Sequence, residues 1–304
     1  MIEFKNLLCP IDFSDTSVGA LVYATAMARS YEAQLTVLHV VPAFGVSPDG
    51  GRSIEESGLG VGSHSRDDVL TVLRGAVDSI EQVRAAGLRP ALVAEEGRVH
   101  ETIVKCAAAL PADLLVMGTH GRSGFDRLLF GSVTEKVLRT APCPVLTVPP
   151  SARALPAAPI TFRRIVCPVD FSPSALKALE YALEFGRRAG GCVTVLHAVE
   201  YMDEEEPCEH VDARVRESRQ HIVERARHRL RDWLAMNLRK GHDVAEVVVA
   251  SRAYRAILRH AAQSASDIIV MGAQGHAGID LMLYGSNAQH VARAATCPVL
   301  TVRA

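Results

Sequence analysis

A glycine pattern that occurs twice constrains this chain more than any other feature. Met117-Gly118-Thr119-His120-Gly121-Arg122-Ser123-Gly124 is followed by Gly131-Ser132-Val133-Thr134, and Met271-Gly272-Ala273-Gln274-Gly275-His276-Ala277-Gly278 by Gly285-Ser286-Asn287. Both fit G-x-x-G-x(9)-G-S. An apolar run precedes each loop, Leu114-Leu115-Val116 or Ile268-Ile269-Val270, and a helical pattern follows. Strand, glycine loop and helix form the layout of a phosphate cradle. Glycine allows positive φ and removes the Cβ atoms that would hold a ligand away, so several N–H groups can face one anion. The helix start adds its unpaired N–H groups and the positive end of its dipole. Ser132 and Thr134 are predicted to serve as helix cap, phosphate donors, or both. The copies also end alike, in Pro142-Cys143-Pro144-Val145-Leu146-Thr147-Val148 and Cys297-Pro298-Val299-Leu300-Thr301-Val302, which makes this a duplicated domain.

The 304 residues suffice for two ordinary domains, each with its own core. The predicted boundaries are 1–149, a Pro/Ala-rich extended linker over 150–160, and 161–304. A net charge of -1 gives no global attraction to nucleic acid or anionic membrane, so any anion site must be local. The seven cysteines include no C-x-x-C pair, and no apolar run reaches membrane-spanning length. The chain is therefore expected to be soluble, reduced and cytoplasmic, with neither nucleic acid nor membrane as a partner.

In chain order, Asn6 to Ile11 reads as a strand that ends at Asp12-Phe13-Ser14, where a helix begins with Ser14 or Asp15 as its cap. Ile165 to Val169, then Asp170-Phe171-Ser172 and a helix, repeat this arrangement. Leu35 to Val41 and Val193 to Val199 are second strands, apolar almost throughout as doubly covered strands should be. The repeats then diverge. The first has a Gly/Ser-rich stretch from Gly45 to Ser65, expected to be a loop; the second has an acidic run and a charged helix from about Val211 to Arg239. Leu88 to Glu95 and Val244 to Val249 read as third strands, Val99 to Ala109 and Tyr254 to Ala262 as helices. This alternation predicts α/β architecture: two tandem doubly wound domains, each with a five-stranded parallel sheet of Rossmann-like type. Ligands of such sheets lie beyond the strands' carboxyl ends, where strand order reverses. An adenine against the Val40 backbone, a ribose near Asp12 and phosphates on the Gly118 loop would fit one crevice. The closing strands are edges in this topology, so Val145–Val148 is expected to pair with Val299–Val302.

At Pro10-Ile11-Asp12-Phe13-Ser14, Leu38-His39-Val40, the glycine signature and the Pro-Cys-Pro-Val run, the chain resembles the universal stress protein family in its tandem form. The resemblance covers nearly the whole chain and extends to the ATP-binding subtype. It implies an adenine nucleotide hydrolase-like fold, adenine-nucleotide (ATP) binding with magnesium as a possible companion, a regulatory role in stress responses, an unknown protein partner, and a homo-oligomer, a dimer of tandem chains. By the same analogy the cofactor-binding residues of the first repeat are Pro10, Ile11, Asp12, Val40, Met117, Gly118, His120, Gly121, Arg122, Gly131, Ser132, Val133 and Thr134. Their counterparts in the second are Asp170, Ala198, Gly272, Gln274, Gly275, Gly285 and Ser286.

The first repeat is expected to bind better, since the second lacks the charge of Arg122 and the hydroxyl of Thr134, and has Ser251 for Gly97. His39 and His197 lie in apolar strands and read as core histidines, whereas His120 sits inside the loop. Cys208, His210, His221 and His228 have no standard zinc spacing and read as a solvated face. Neither loop ends in the Gly-Lys-Ser/Thr of a Walker motif, so the lysine that neutralises a transferring phosphate is missing. A binding protein is thus favoured over an enzyme. A slow magnesium-dependent ATPase or phosphotransferase, and a ligand-free interaction module with relic loops, remain the alternatives.

Overall fold

The computed structural model describes residues 2–42, 65–120, 131–152, 160–200, 213–238, 244–275 and 285–304. The first repeat runs β1 (Asn6–Pro10), α1 (Asp15–Tyr31), β2 (Gln34–Pro42), α2 (Arg66–Ser79), α3 (Glu81–Ala85), β3 (Ala91–Gly97), α4 (Val99–Ala109), β4 (Leu114–Gly118), α5 (Ser132–Thr140) and β5 (Val145–Val148). The second runs β6 (Arg164–Pro168), α6 (Pro173–Ala189), β7 (Cys192–Val199), α7 (Ala213–Asn237), β8 (Val244–Ala250), α8 (Ala253–Gln263), β9 (Ile268–Gly272), α9 (Ser286–Ala294) and β10 (Val299–Val302).

Each first helix begins where its sequence says it should. Ser14 caps α1 by accepting from Ser17 N–H, and Ser172 caps α6 by accepting from Ala175 N–H, with Pro173 at the first helical position. The long apolar strands that these helices connect cannot turn back within a tight hairpin, so they pair in parallel through the crossover. Strand order in the sheet is β3-β2-β1-β4-β5-β10-β9-β6-β7-β8. Within each repeat every pairing is parallel. The winding reverses between β1 and β4, and again between β6 and β9, which opens a crevice beyond the carboxyl ends of those pairs.

The expected pairing of the closing strands is present and antiparallel: Val299 lies opposite Thr147, Leu300 opposite Leu146 and Thr301 opposite Val145. Thr147 donates its hydroxyl to Val299 O at 3.3 Å, and Thr301 donates to Val145 O at 3.2 Å. The sheet is therefore continuous through both repeats. Because an antiparallel seam keeps its faces, helices of both repeats share each side. One core contains Leu21 and Met27 of α1 together with Leu179 and Phe185 of α6. The other contains Val137 and Leu138 of α5 with Val291 and Ala292 of α9. Phe4 meets Tyr31 edge-on at 4.9 Å and stacks with Phe185 at 6.2 Å, while Phe162 lies 5.3 Å from Phe185, so aromatic rings join the repeats on the first face.

Three details depart from the sequence reading. The third strand starts at Ala91 rather than Leu88, after Gly87 at φ 67 and Pro90, which has no N–H to give a ladder. A helix pair, α2 and α3, follows directly on the Gly/Ser-rich stretch and had not been anticipated. Its signal was present, since Ser65 and Asp68 form a capping box. The charged helix of the second repeat is present over Ala213–Asn237, and its expected ends at Val211 and Arg239 lie outside the described residues. Gly131, not Ser132, caps α5. Residues 45–64 lie outside the described residues.

Candidate functional site

The Asp-Phe-Ser turn is built identically in both repeats. Asp12 Oδ1 accepts from Ser14 N at 3.1 Å and from Ser14 Oγ at 2.5 Å; Asp170 Oδ1 accepts from Ser172 N at 3.0 Å and from Ser172 Oγ at 2.5 Å. Such Asx bonding lets the residue between them take up left-handed backbone. Phe13 and Phe171 do so, at φ 63 and 67, an uncommon state for an aromatic residue. Each ring rests on the histidine of the second strand, Phe13 on His39 at 4.6 Å and Phe171 on His197 at 4.5 Å. Those histidines bond through Nδ1 to the carbonyls of Ile11 and Val169, both at 2.8 Å. Burial pushes the His197 pKa down against that bond. The histidines thus brace the turn from one side, and the other oxygen of the aspartate is Oδ2.

In the second repeat that oxygen faces the glycine loop. A Cβ at Gly275 would lie 2.8 Å from Asp170 Oδ2, so only glycine leaves the carboxylate and the loop backbone this close. Gly118 and Gly272 serve packing. A Cβ at Gly118 would meet Thr16 O at 2.8 Å, and one at Gly272 would meet the Ser174 backbone carbon at 2.9 Å, both in the first turn of the crossover helix. The same helix grips the loop again, because Thr16 and Ser174 donate their hydroxyls to the carbonyls of His120 and Gln274.

The far side of the loop is tied back as well. Gly131 N donates to Thr119 O at 2.9 Å, and Gly285 N to Ala273 O at 2.8 Å. Thr134 is buried, and its hydroxyl donates to Gly118 O at 2.9 Å, so it is neither a cap nor directed at the crevice. Its expected role as a phosphate hydroxyl is corrected accordingly: it holds α5 to the end of β4. Gly97 has a similar local reason, since it sits at φ 152 where a Cβ would approach Thr102 Oγ1 to 2.6 Å. In the second repeat Ser251 is accompanied by Ala256 at the position of that threonine. Ser251 also lacks the positive φ of Gly97, so neither the backbone nor the facing side chain requires glycine there.

The backbone of the second strand opens onto the same space. Ile11 N donates to Leu38 O at 2.8 Å, and Val169 N to Leu196 O at 2.8 Å. These are the last bonds from the first strands. Two residues further on, Val40 and Ala198 present the same strand edge where β1 and β6 have already turned away. In the second repeat the result is a cavity of about 500 Å³ whose lining includes Asp170, Ala198, Gly272, Gln274, Gly275, Gly285 and Ser286. Every residue expected there from the sequence is thus brought together. The lining also includes Glu200, Ala253, Ile257 and Asn287, which the sequence reading does not name as site residues. Glu200 accepts from Ala253 N at 3.4 Å, at the start of α8. Its only sequence signal is its place at the end of β7, two residues beyond Ala198.

In the first repeat Pro10, Ile11, Asp12, Val40, Met117, Gly118, His120, Gly131, Ser132 and Val133 occupy the corresponding strand ends and helix start. Gly121 and Arg122 lie outside the described residues. His120 is partly buried, and its Nδ1 pairs with Thr119 Oγ1 at 2.8 Å. Its pKa is pushed below the ordinary histidine value, first by burial and then by the charge of Arg293 from the second repeat. Four thiols are held in their protonated, unreactive form by burial. Burial raises those of Cys9 and Cys167 far up and pushes Cys143 to about 12 and Cys297 to about 11. Cys208 and His210 lie outside the described residues, and among the described ones no three metal-binding side chains cluster. Likewise, among the described residues no helix is long and apolar enough to cross a membrane.

The fold defines a tandem, doubly wound α/β protein, with a glycine-bounded cavity at the switch point of the second repeat. The chain belongs to the universal stress protein family, whose model matches residues 3–149 and 161–303. Universal stress protein MJ0531 of Methanocaldococcus jannaschii is 33% identical over 145 residues, which are 48% of this chain and 82% of that protein. A universal stress protein of Thermus aquaticus is 34% identical over 153 residues, 48% of this chain and 98% of its own length. Both correspond to one repeat. Over the whole chain, the structure of a universal stress protein from Archaeoglobus fulgidus DSM 4304 is similar with a TM-score of 0.65 and 22% identity, covering 99% of this chain and 97% of that one. This last likeness concerns the fold.

Proposed function

We propose that the chain is a cytoplasmic adenine-nucleotide-binding regulator of stress responses, with ATP, accompanied or not by magnesium, as its ligand. The observation that carries this reading is the convergence of Asp170, Ala198, Gly275, Gly285 and Ser286 on one cavity. Its size, about 500 Å³, lies within the range of small-molecule sites, roughly 300–1,000 Å³. The chemistry fits the parts of a nucleotide. A strand edge offers N–H and C=O groups to a base, the aspartate carboxylate can accept from ribose hydroxyls, and the glycine-bounded helix start offers N–H groups to phosphate. The absence of a Walker lysine from the sequence favours binding over turnover. Occupancy would then alter the packing of the repeats, of a dimer of tandem chains, or of a protein partner.

The test is native mass spectrometry of the gently purified full chain, with released nucleotide identified by chromatography. The expected result is one firmly held adenine nucleotide per chain, in the first repeat, with a second taken up only at higher ATP. No nucleotide in the purified protein, and no uptake of added ATP and magnesium, would overturn the reading.

A further inference from the structure

We infer that the outer face of the second repeat carries a separate binding site for a small aromatic anion, taken between Trp233 and Met236 of α7 and the guanidinium groups of Arg225 and Arg229. The inference does not depend on the nucleotide reading.

The element that differs between the repeats builds the site. Where the first repeat has the pair α2 and α3, the second has the single long helix α7. Arg225, Arg229, Trp233 and Met236 follow one another at intervals of four, four and three residues, which sets them along one face of that helix. The adjacent face carries Leu230 and Leu234, both buried in one core with Val195 of β7. The stripe therefore stands at the margin between core and solvent. Beside it lies Phe171 of the Asp-Phe-Ser turn, whose ring meets that of Trp233 edge-on at 5.7 Å. These residues line an open pocket of about 400 Å³, within the range of small-molecule sites, roughly 300–1,000 Å³. Trp233 is half-buried, and Met236 is 76% exposed. An indole and a thioether side by side offer a flat apolar ligand both ring contact and sulfur contact.

The arginines of α7 are not equivalent. Arg227 pairs with Glu224 at 2.8 Å and Arg231 with Glu246 at 3.2 Å, as on any solvated helix face. The two that line the pocket, Arg225 and Arg229, form neither an ion pair nor a hydrogen bond among the described residues. Arg229 is placed by a ring instead, with its Cζ 4.2 Å from the centroid of Phe171. A stacked guanidinium is fixed in direction yet keeps the N–H groups at its rim, in the fork that matches a carboxylate or phosphate. Arg225 stands one helical turn away. Asp232 and His228 also line the pocket, and His228 lies 3.8 Å from Glu224, which would balance its charge on protonation. Two guanidinium groups against one carboxylate leave the pocket positive. A bare anion would leave the indole and thioether uncovered, and a neutral ring would leave both arginines to water. A ring bearing one anionic head answers both.

The test uses the full chain, whose single tryptophan makes intrinsic indole fluorescence a reporter of this pocket. Benzoate and phenyl phosphate should each change Trp233 emission saturably, and the tighter of the two identifies the preferred head group. Benzyl alcohol, which keeps the ring without the charge, and inorganic phosphate, which keeps the charge without the ring, should give no saturable change. Arg225→Gln removes one guanidinium and keeps the stack of Arg229 on Phe171; it should weaken the aromatic anion about tenfold or more, as loss of a charge-assisted contact does. Arg229→Gln should act in the same direction, and Arg227→Gln, outside the pocket, should bind as the wild type does. The assignment is overturned if neither aromatic anion saturates, if benzyl alcohol binds as well as benzoate, or if both pocket variants keep the wild-type affinity. Because no arm of the titration contains a nucleotide, each of these outcomes leaves the nucleotide reading where it stands.

Discussion

At the residue scale, the glycines of the signature have separable reasons that a pattern alone merges. Gly275 keeps a carboxylate and a loop in contact, whereas Gly118 lets β4 pass against the start of α1. A methyl group at Gly118 would press on backbone, which cannot rotate away. Gly118→Ala is therefore expected to destabilise the protein by about 1–3 kcal/mol. Gly19→Ala is the control: nothing lies within 4 Å of a Cβ there, inside α1, and it should stabilise by about 0.5–1 kcal/mol. Urea denaturation midpoints of the two variants check both signs, and a neutral Gly118→Ala would mean that the close approach relaxes freely. The sequence made these positions visible as glycine; it did not say which neighbour demanded it. Thr134 shows the same limit. Its place at the start of a helix after a glycine suggests a phosphate donor, whereas in the fold its hydroxyl donates to Gly118 O.

At the element scale, α5 is a short helix anchored at its start by one buried hydroxyl bond rather than by a side-chain cap. Thr134→Val keeps the shape and leaves the Gly118 carbonyl without that donor, which should cost about 1–3 kcal/mol. On the proposed reading ATP affinity should hold, because the helix N–H groups rather than this hydroxyl would face the phosphates. Thermal unfolding and titration on the same variant decide this; a loss of affinity with stability intact would return Thr134 to the ligand. The counterpart Ala288 shows that α9 lacks the tie altogether. Element boundaries were legible where local chemistry marks them, as at Ser14 and Ser172. They were missed at α2, where a Gly/Ser-rich run drew attention away from the capping pair Ser65 and Asp68.

At the scale of the whole molecule, the seam matters more than the linker. Two cores pass from one repeat into the other, and the rings of Phe4, Tyr31, Phe162 and Phe185 fill the junction on one face. Duplicated domains joined only by a linker would unfold separately; these two should give a single calorimetric transition. Phe185→Ala, which removes a buried ring, is expected to cost about 3–5 kcal/mol and to split that transition in two. Two transitions in the wild type would show the seam to be weaker than its burial implies. The sequence by itself determined the duplication, the doubly wound class, the pairing of the closing strands and part of the crevice lining. Each follows from short-range chemistry: apolar runs that demand cover, caps that start helices, and glycines where a strand meets a loop. Only the tertiary structure decided what crosses the seam. The meeting of Phe4 and Tyr31 with Phe185 is set by antiparallel register and by a shared helix face, and it leaves no local signature in a chain where these residues are far apart.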